Sequence, residues 1–240
     1  MQMKTNRVKA VGAAVVAVAI VSAGSAAFAQ VASQTVYDNT TTKTGQQYAP
    51  ASGTQFGNQI FITAANPTAN PTWNVTAFSF EYNSGNAVVG APVGSAVVNF
   101  YANTGAAVAG PGSQAPSTVL YTSPNFNLTG TGNAGSLVSF SSLNVTVPPS
   151  FTWTVTFSSA NGATLGLDTY GPVTTGTSYN DIWQKTATSW TLLQSNGTVN
   201  YTSFGSKFSA YPTPEPGTIA LGLMGVLATG GMLFGKRKNA

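Results

Sequence analysis

The chain has 240 residues, carries 9 Lys and Arg against 5 Asp and Glu for a formal net charge of +4, and contains neither Cys nor His. Those two absences exclude thiol nucleophiles, imidazole bases, Ser-His-Asp triads and the usual His/Cys zinc sites. The cations sit mostly at the ends, as Lys4, Arg7, Lys9, Lys236, Arg237 and Lys238, leaving Lys43, Lys185 and Lys207 against Asp38, Glu81, Asp168 and Asp181 between them; this slightly acidic body offers no basic patch for a phosphate backbone, so nucleic acid is not an expected partner.

The first element in chain order is a leader over residues 1–29. Lys4, Arg7 and Lys9 precede an apolar run at 11–21, and a small-residue stretch closes on Ala27-Phe28-Ala29 before Gln30. Signal peptidase reads small side chains at positions such as Ala27 and Ala29, so cleavage is expected after Ala29. An uncleaved N-terminal anchor is the alternative, against which the short apolar run and the clear cleavage pattern argue.

Residues 30–211 read as one extracytoplasmic domain, long enough to bury a core without metal or disulfide help. Only 6% of the chain is charged, far below the roughly one quarter typical of soluble domains, so solubility rests on Ser, Thr, Asn and Gly. Period-2 alternation dominates. At 151–157 the order Phe-Thr-Trp-Thr-Val-Thr-Phe predicts a strand with one face in the core. Trp73, Val75 and Ala77 alternate in one phase and Phe78, Phe80 and Tyr82 in the other, which predicts a β-bulge or a crossing between sheets near Ala77.

Further strands are expected at 59–63, 96–101, 118–122, 137–140, 143–147, 163–168, 181–184, 189–193 and 199–204. Gly, Pro and Asn-rich turns separate them, and no helical period is sustained outside the two ends. About ten short strands with frequent turns predict an all-β fold, an antiparallel β-sandwich of jelly-roll type. A signal helix and a transmembrane helix are expected to flank it.

The last element, 212–240, is a tail. Residues 218–235 form an uncharged run followed by Lys236-Arg237-Lys238; at about 1.5 Å per residue, a helix there is just long enough to span a bilayer core of roughly 30 Å. The basic cluster is expected to stay cytoplasmic, leaving the body outside. A buried core helix is the alternative, disfavoured by the terminal position, the glycines and the basic stop.

Pro214-Glu215-Pro216 stands just before this run, and the order of tripeptide, Gly-containing span and basic end resembles the PEP-CTERM sorting signal of Gram-negative bacteria. That resemblance covers about the last 28 residues and implies recognition of Pro214, Glu215 and Pro216 by an exosortase, a membrane-embedded transpeptidase-like enzyme, with cleavage near the motif. The Lys-Arg-Lys end departs from the more Arg-rich tails of that kind. The body is also similar to β-domains attached to such tails, through Tyr37-Asp38-Asn39, Val119-Leu120-Tyr121, Trp153-Thr154-Val155 and the 178–183 stretch Ser-Tyr-Asn-Asp-Ile-Trp. Those domains mostly have no assigned activity.

The remaining motifs carry little chemistry. Gly130, Gly132 and Gly135 match GxGxxG, but strand-like residues follow where a dinucleotide site needs a helix N-terminus, so a hairpin loop is expected. Glu81, Asp168 and Asp181 are the acids from which a glycosidase pair would be drawn; caps and turns are their commoner use. No Asp-x-Asp-x-Asp calcium pattern occurs. Trp153, Trp183 and Trp190 fit a sandwich core better than sugar stacking.

The sequence therefore points to a protein with no catalytic activity of its own and no cofactor. It is exported, anchored in the inner membrane, processed by an exosortase-like enzyme and delivered to the cell surface or an exopolysaccharide matrix. The expected partners are signal peptidase, the sorting enzyme and the membrane. A carbohydrate-binding module acting on exopolysaccharide is the alternative, and a glycoside-cleaving enzyme the weaker one.

Overall fold

Alternating apolar and hydroxyl side chains, punctuated by turn residues, fold into strands throughout a computed structural model of the chain, which describes residues 32–62, 72–85, 87–108, 114–178, 181–194 and 203–213. The expected leader, the apolar run 218–235 and the site residues Ala27, Ala29, Pro214, Glu215, Pro216, Lys236, Arg237 and Lys238 lie outside the described residues. Among the described residues no helix is long and apolar enough to cross a membrane.

The strands are β1 (Gln34–Asp38), β2 (Lys43–Tyr48), β3 (Gln55–Phe61), β4 (Trp73–Asn83), β5 (Pro92–Ala102), β6 (Val119–Thr122), β7 (Phe126–Thr129) and β8 (Ser136–Phe140). They continue as β9 (Val145–Val147), β10 (Ser150–Ser159), β11 (Gly166–Tyr170), β12 (Thr177–Ser178), β13 (Asp181–Thr186), β14 (Ser189–Gln194) and β15 (Ser206–Pro212). One sheet runs β1-β15-β4-β11-β2, with β8 and β9 also paired to β4; the other runs β14-β13-β3-β10-β5-β6, with β12 also on β3 and β7 also on β5. Every one of these pairings is antiparallel.

The two sheets face each other through aromatic rings. Phe78 of β4 lies 4.4 Å, centroid to centroid, from Phe208 of β15 in its own sheet, and 5.3 Å from Phe100 and 5.2 Å from Trp153 in the opposite sheet. All four side chains are buried, and each such side chain withdrawn from water contributes roughly 1.5–3 kcal/mol. The result is an all-β, sandwich-like fold.

The phase change in β4 is a bulge. Ser209 pairs with Ala77 but the next residue, Ala210, pairs with Val75, so Thr76 is the extra residue and its hydroxyl donates to the Ser209 carbonyl at 3.1 Å. Trp73 and Val75 before it, and Phe78, Phe80 and Tyr82 after it, thereby all reach the interior.

Two expectations need correction. Strand β10 was expected to bury one face, yet Thr152 and Thr154 are fully buried as well. Neighbouring polar side chains close over them: Gln55 donates to the Thr154 hydroxyl at 2.9 Å, and Thr152 donates to Asn103 Oδ1 at 2.7 Å. The strand expected at 199–204 falls partly outside the described residues; within them Phe204 makes only an isolated bridge to Thr169, and the strand itself begins at Ser206.

Candidate functional site

Strand β4 turns Phe78, Phe80 and Tyr82 inward, so the residues between them, Ser79 and Glu81, face away from the core. Beside the end of β4 runs β11, where Gly166 pairs with Asn83 and Leu167 with Tyr82. On its far side β2 pairs Lys43 with Tyr170. Three strands thus bring Lys43, Glu81, Asp168 and Tyr170 to one place.

Lys43 Nζ donates to Glu81 Oε1 at 2.7 Å and also lies 2.7 Å from Asp168 Oδ2. The Tyr170 hydroxyl donates to Glu81 Oε2. Asp168 is 3% exposed, and its Oδ2, despite the nearby ammonium, has no hydrogen bond of acceptable geometry. A Cβ at Gly135 would lie 1.6 Å from Glu81 Oε1, so a larger residue there must displace the Glu81 carboxyl from this cluster.

Burial drives the Asp168 carboxyl above its ordinary pKa; Lys43 opposes this and the neighbouring Glu81 carboxyl reinforces it. Burial also acts to raise Glu81, but the hydrogen bonds from Lys43 and Tyr170 outweigh it and hold Glu81 below its ordinary value. Lys43 is raised, since its two carboxyl partners overcome the effect of burial. Of the two acids, Asp168 is therefore the more readily protonated, and Glu81 with Lys43 is the pair favoured in its charged form. Tyr170 is pushed up as well, first by burial and then by its bond to Glu81.

Two of the three acids singled out from the sequence, Glu81 and Asp168, are thus brought together. Asp181 is not; it opens β13 in the other sheet. The Lys43 ammonium stands between the two carboxyls, 2.7 Å from each, in the space where a glycosidase pair holds an anomeric carbon or a water. Sequence reasoning did not single out Lys43 and Tyr170. The alternation of Asp168 with Tyr170 places both on one side of β11, a legible signal, whereas the pairing of Lys43 with that strand was not.

The GxGxxG stretch is not a hairpin loop as expected. It joins β7 in one sheet to β8 in the other, and its neighbours hold it at one end of the sandwich, Thr131 N donating to Ser84 Oγ at 2.7 Å and Gly90 N to the Gly130 carbonyl at 2.9 Å. A cavity of about 720 Å³ adjoins it, lined by Ser84, Val88, Asn133, Asn161 and Thr164 among others. Strand β8 follows directly, so no helix N-terminus is present to receive a pyrophosphate.

Trp153 and Trp183 are buried. Trp190 is half-buried, edge-on to Tyr101 at 5.2 Å, with Lys185 Nζ 5.6 Å from its ring centroid. Among the described residues no group of three or more acids is placed to hold a metal ion.

No family model matches the chain, and no curated protein matches it. Among solved structures, that of infectious bursal disease virus strain Gx is similar at 13% identity over 78% of this chain and 37% of that one, with a TM-score of 0.23. The Gt strain structure is similar at 12% identity over 82% and 49%, with a TM-score of 0.26. The chain spans less than half the length of either.

Proposed function

We propose that this chain is an exported bacterial surface or matrix protein of the PEP-CTERM type, secreted through its leader, held by the 218–235 helix and released by an exosortase-like enzyme acting near Pro214-Glu215-Pro216. The carrying observation is where the β-body ends. Ala32–Thr213 is a compact unit, Thr213 N still donates to the Thr72 carbonyl at 2.9 Å, and the next residue is the first of the motif. An enzyme acting at this proline-flanked motif would therefore cut beyond the last residue of the compact unit. The front is arranged alike in sequence: the expected cleavage after Ala29 falls before β1, which begins at Gln34.

The body is read as a jelly roll. The order β1-β15-β4 with β8 and β9 in one sheet, and β3-β10-β5 with β6 and β7 in the other, supports two interleaved Greek keys. With β8 and β9, both on β4, counted as one interrupted strand and β6 and β7, both on β5, as another, β2 and the segment β11–β14 are additions to an eight-strand plan. Such a body suits a passive role at a surface, with neutral hydrogen-bonding side chains outside and aromatic rings inside.

The test is expression in two otherwise identical Gram-negative hosts, one with and one without an exosortase. The reading predicts a membrane-bound body, reached by external protease, in the host without the enzyme and a shortened, released body in the host with it. A body of one size in the same fraction of both hosts refutes the sorting role.

A further inference from the structure

We infer that the cluster on β2, β4 and β11 is a site of covalent self-modification: Lys43 and Asp168 condense to an intramolecular amide, with Glu81 as the proton acceptor that makes it possible. This rests on the geometry of the body alone and stands whether or not the chain is exported and sorted.

The reactants are already in contact. Lys43 Nζ is 2.7 Å from Asp168 Oδ2, and that oxygen has no hydrogen bond in spite of being buried. The contact holds the amine against the carboxyl group, which supplies the proximity that attack on the adjoining carbon needs. Glu81 accepts a hydrogen bond from the same Nζ and is itself held by Tyr170, so a base of fixed orientation touches the nucleophile. Burial raises the Asp168 carboxyl and so favours the acid form from which water can leave, while the raised Lys43 and lowered Glu81 set the barrier to the first proton transfer.

In the reaction the Lys43 ammonium gives one proton to Glu81, and the freed lone pair forms a bond to Asp168 Cγ. The tetrahedral centre then loses its hydroxyl, which leaves as water with a second proton from the nitrogen. One amide and one water result, with Glu81 protonated until it exchanges with solvent. No oxidant, metal or second substrate enters. Water can leave past Lys43, whose side chain is 34% exposed.

The cross-link would have a clear structural effect. Strand β2 is the edge of its sheet, joined to it through β11, and five of its six residues are exposed. A covalent tie from Lys43 to β11 pins that edge and closes the chain from 43 to 168 into a ring, restricting the unfolded state as a disulfide does. The chain has no cysteine with which to do this otherwise.

The experiment is intact-mass measurement on the folded full chain, followed by sequencing of the tryptic peptides. The expected result is a mass one water below that of the processed sequence and a branched peptide joining Lys43 to Asp168. Lys43→Arg, Asp168→Ala and Glu81→Gln should each restore the full mass, with Glu81→Gln retaining the wild-type circular dichroism. A folded wild-type chain at full mass after prolonged incubation overturns the proposal, and needs no variant to do so. Water loss that persists in Lys43→Arg or Asp168→Ala also overturns it, and water loss that persists in Glu81→Gln overturns the role given to Glu81.

Discussion

Replacing Phe208 by alanine should remove much of the stability of the body. The ring is fully buried on β15 and touches both layers: Tyr37 at 6.2 Å and Phe78 at 4.4 Å on its own sheet, and Phe100 at 5.4 Å and Phe151 at 5.2 Å on the other. Four rigid neighbours, each held by its own strand, cannot collapse into the space left behind. The loss should therefore fall near the upper part of the range of about 3–5 kcal/mol for Phe→Ala, out of a total of roughly 5–15 kcal/mol for a domain. In urea, with a slope of about 2 kcal/mol per molar, the midpoint should fall by roughly 2 M at unchanged slope. Phe208→Leu, which keeps most of the volume, should cost about 1–1.5 kcal/mol. A midpoint shift below about 0.5 M for Phe208→Ala would refute the burial of this ring between the two sheets.

Three further outcomes follow from the same structure. Gly57→Ala would set a Cβ 1.9 Å from the Trp153 carbonyl oxygen, forcing β3 and β10 apart; a loss of about 2–4 kcal/mol is expected in the same urea assay, and a neutral result would contradict that close approach. Asn39→Ala would remove the buried amide that donates to the Tyr170 carbonyl and to both oxygens of Ser203, with a cost of about 1–3 kcal/mol and a matching drop in melting temperature. Burial tends to raise Asp38, but the hydrogen bonds from Thr40 and Lys207 and the Lys207 charge prevail and hold it below its ordinary value. Its contribution is thus present above the unfolded carboxylate pKa of about 3.9 and is lost as pH falls through the lower folded value. Melting temperature against pH should fall less steeply on the acid side for Asp38→Asn than for wild type; parallel curves would dispose of this ion pair as a source of acid sensitivity.

The parts of the fold legible in the sequence were those where one face is apolar. Strand β10 was read from Phe151, Trp153, Val155 and Phe157, and the bulge in β4 from the phase change after Ala77, because both patterns report directly which side meets the core. Strand β2 was missed because Lys43-Thr-Gly-Gln-Gln-Tyr48 has no apolar phase; it is an edge held through backbone pairing, and pairing leaves no periodic trace. Strand β7, Phe126-Asn-Leu-Thr129, does alternate, but its four residues are too short a window for the period to stand out. The burial of Thr152 and Thr154 was hidden for a related reason, since Gln55 on β3 and Asn103 just after β5 cover them and neither neighbour is implied by the threonines themselves. At the candidate site the two acids were visible as rare charges, while their convergence depended on β11 lying beside β4, a contact between segments more than eighty residues apart.

The account turns on a self-contained β-body being trimmed at both ends during export. The direct test is the terminal sequence and mass of the mature protein taken from a native host that possesses the sorting enzyme. It should begin at Gln30 and end near the Pro214-Glu215-Pro216 motif, without Lys236-Arg237-Lys238. A mature chain that still carries Met1 and that basic end would contradict it.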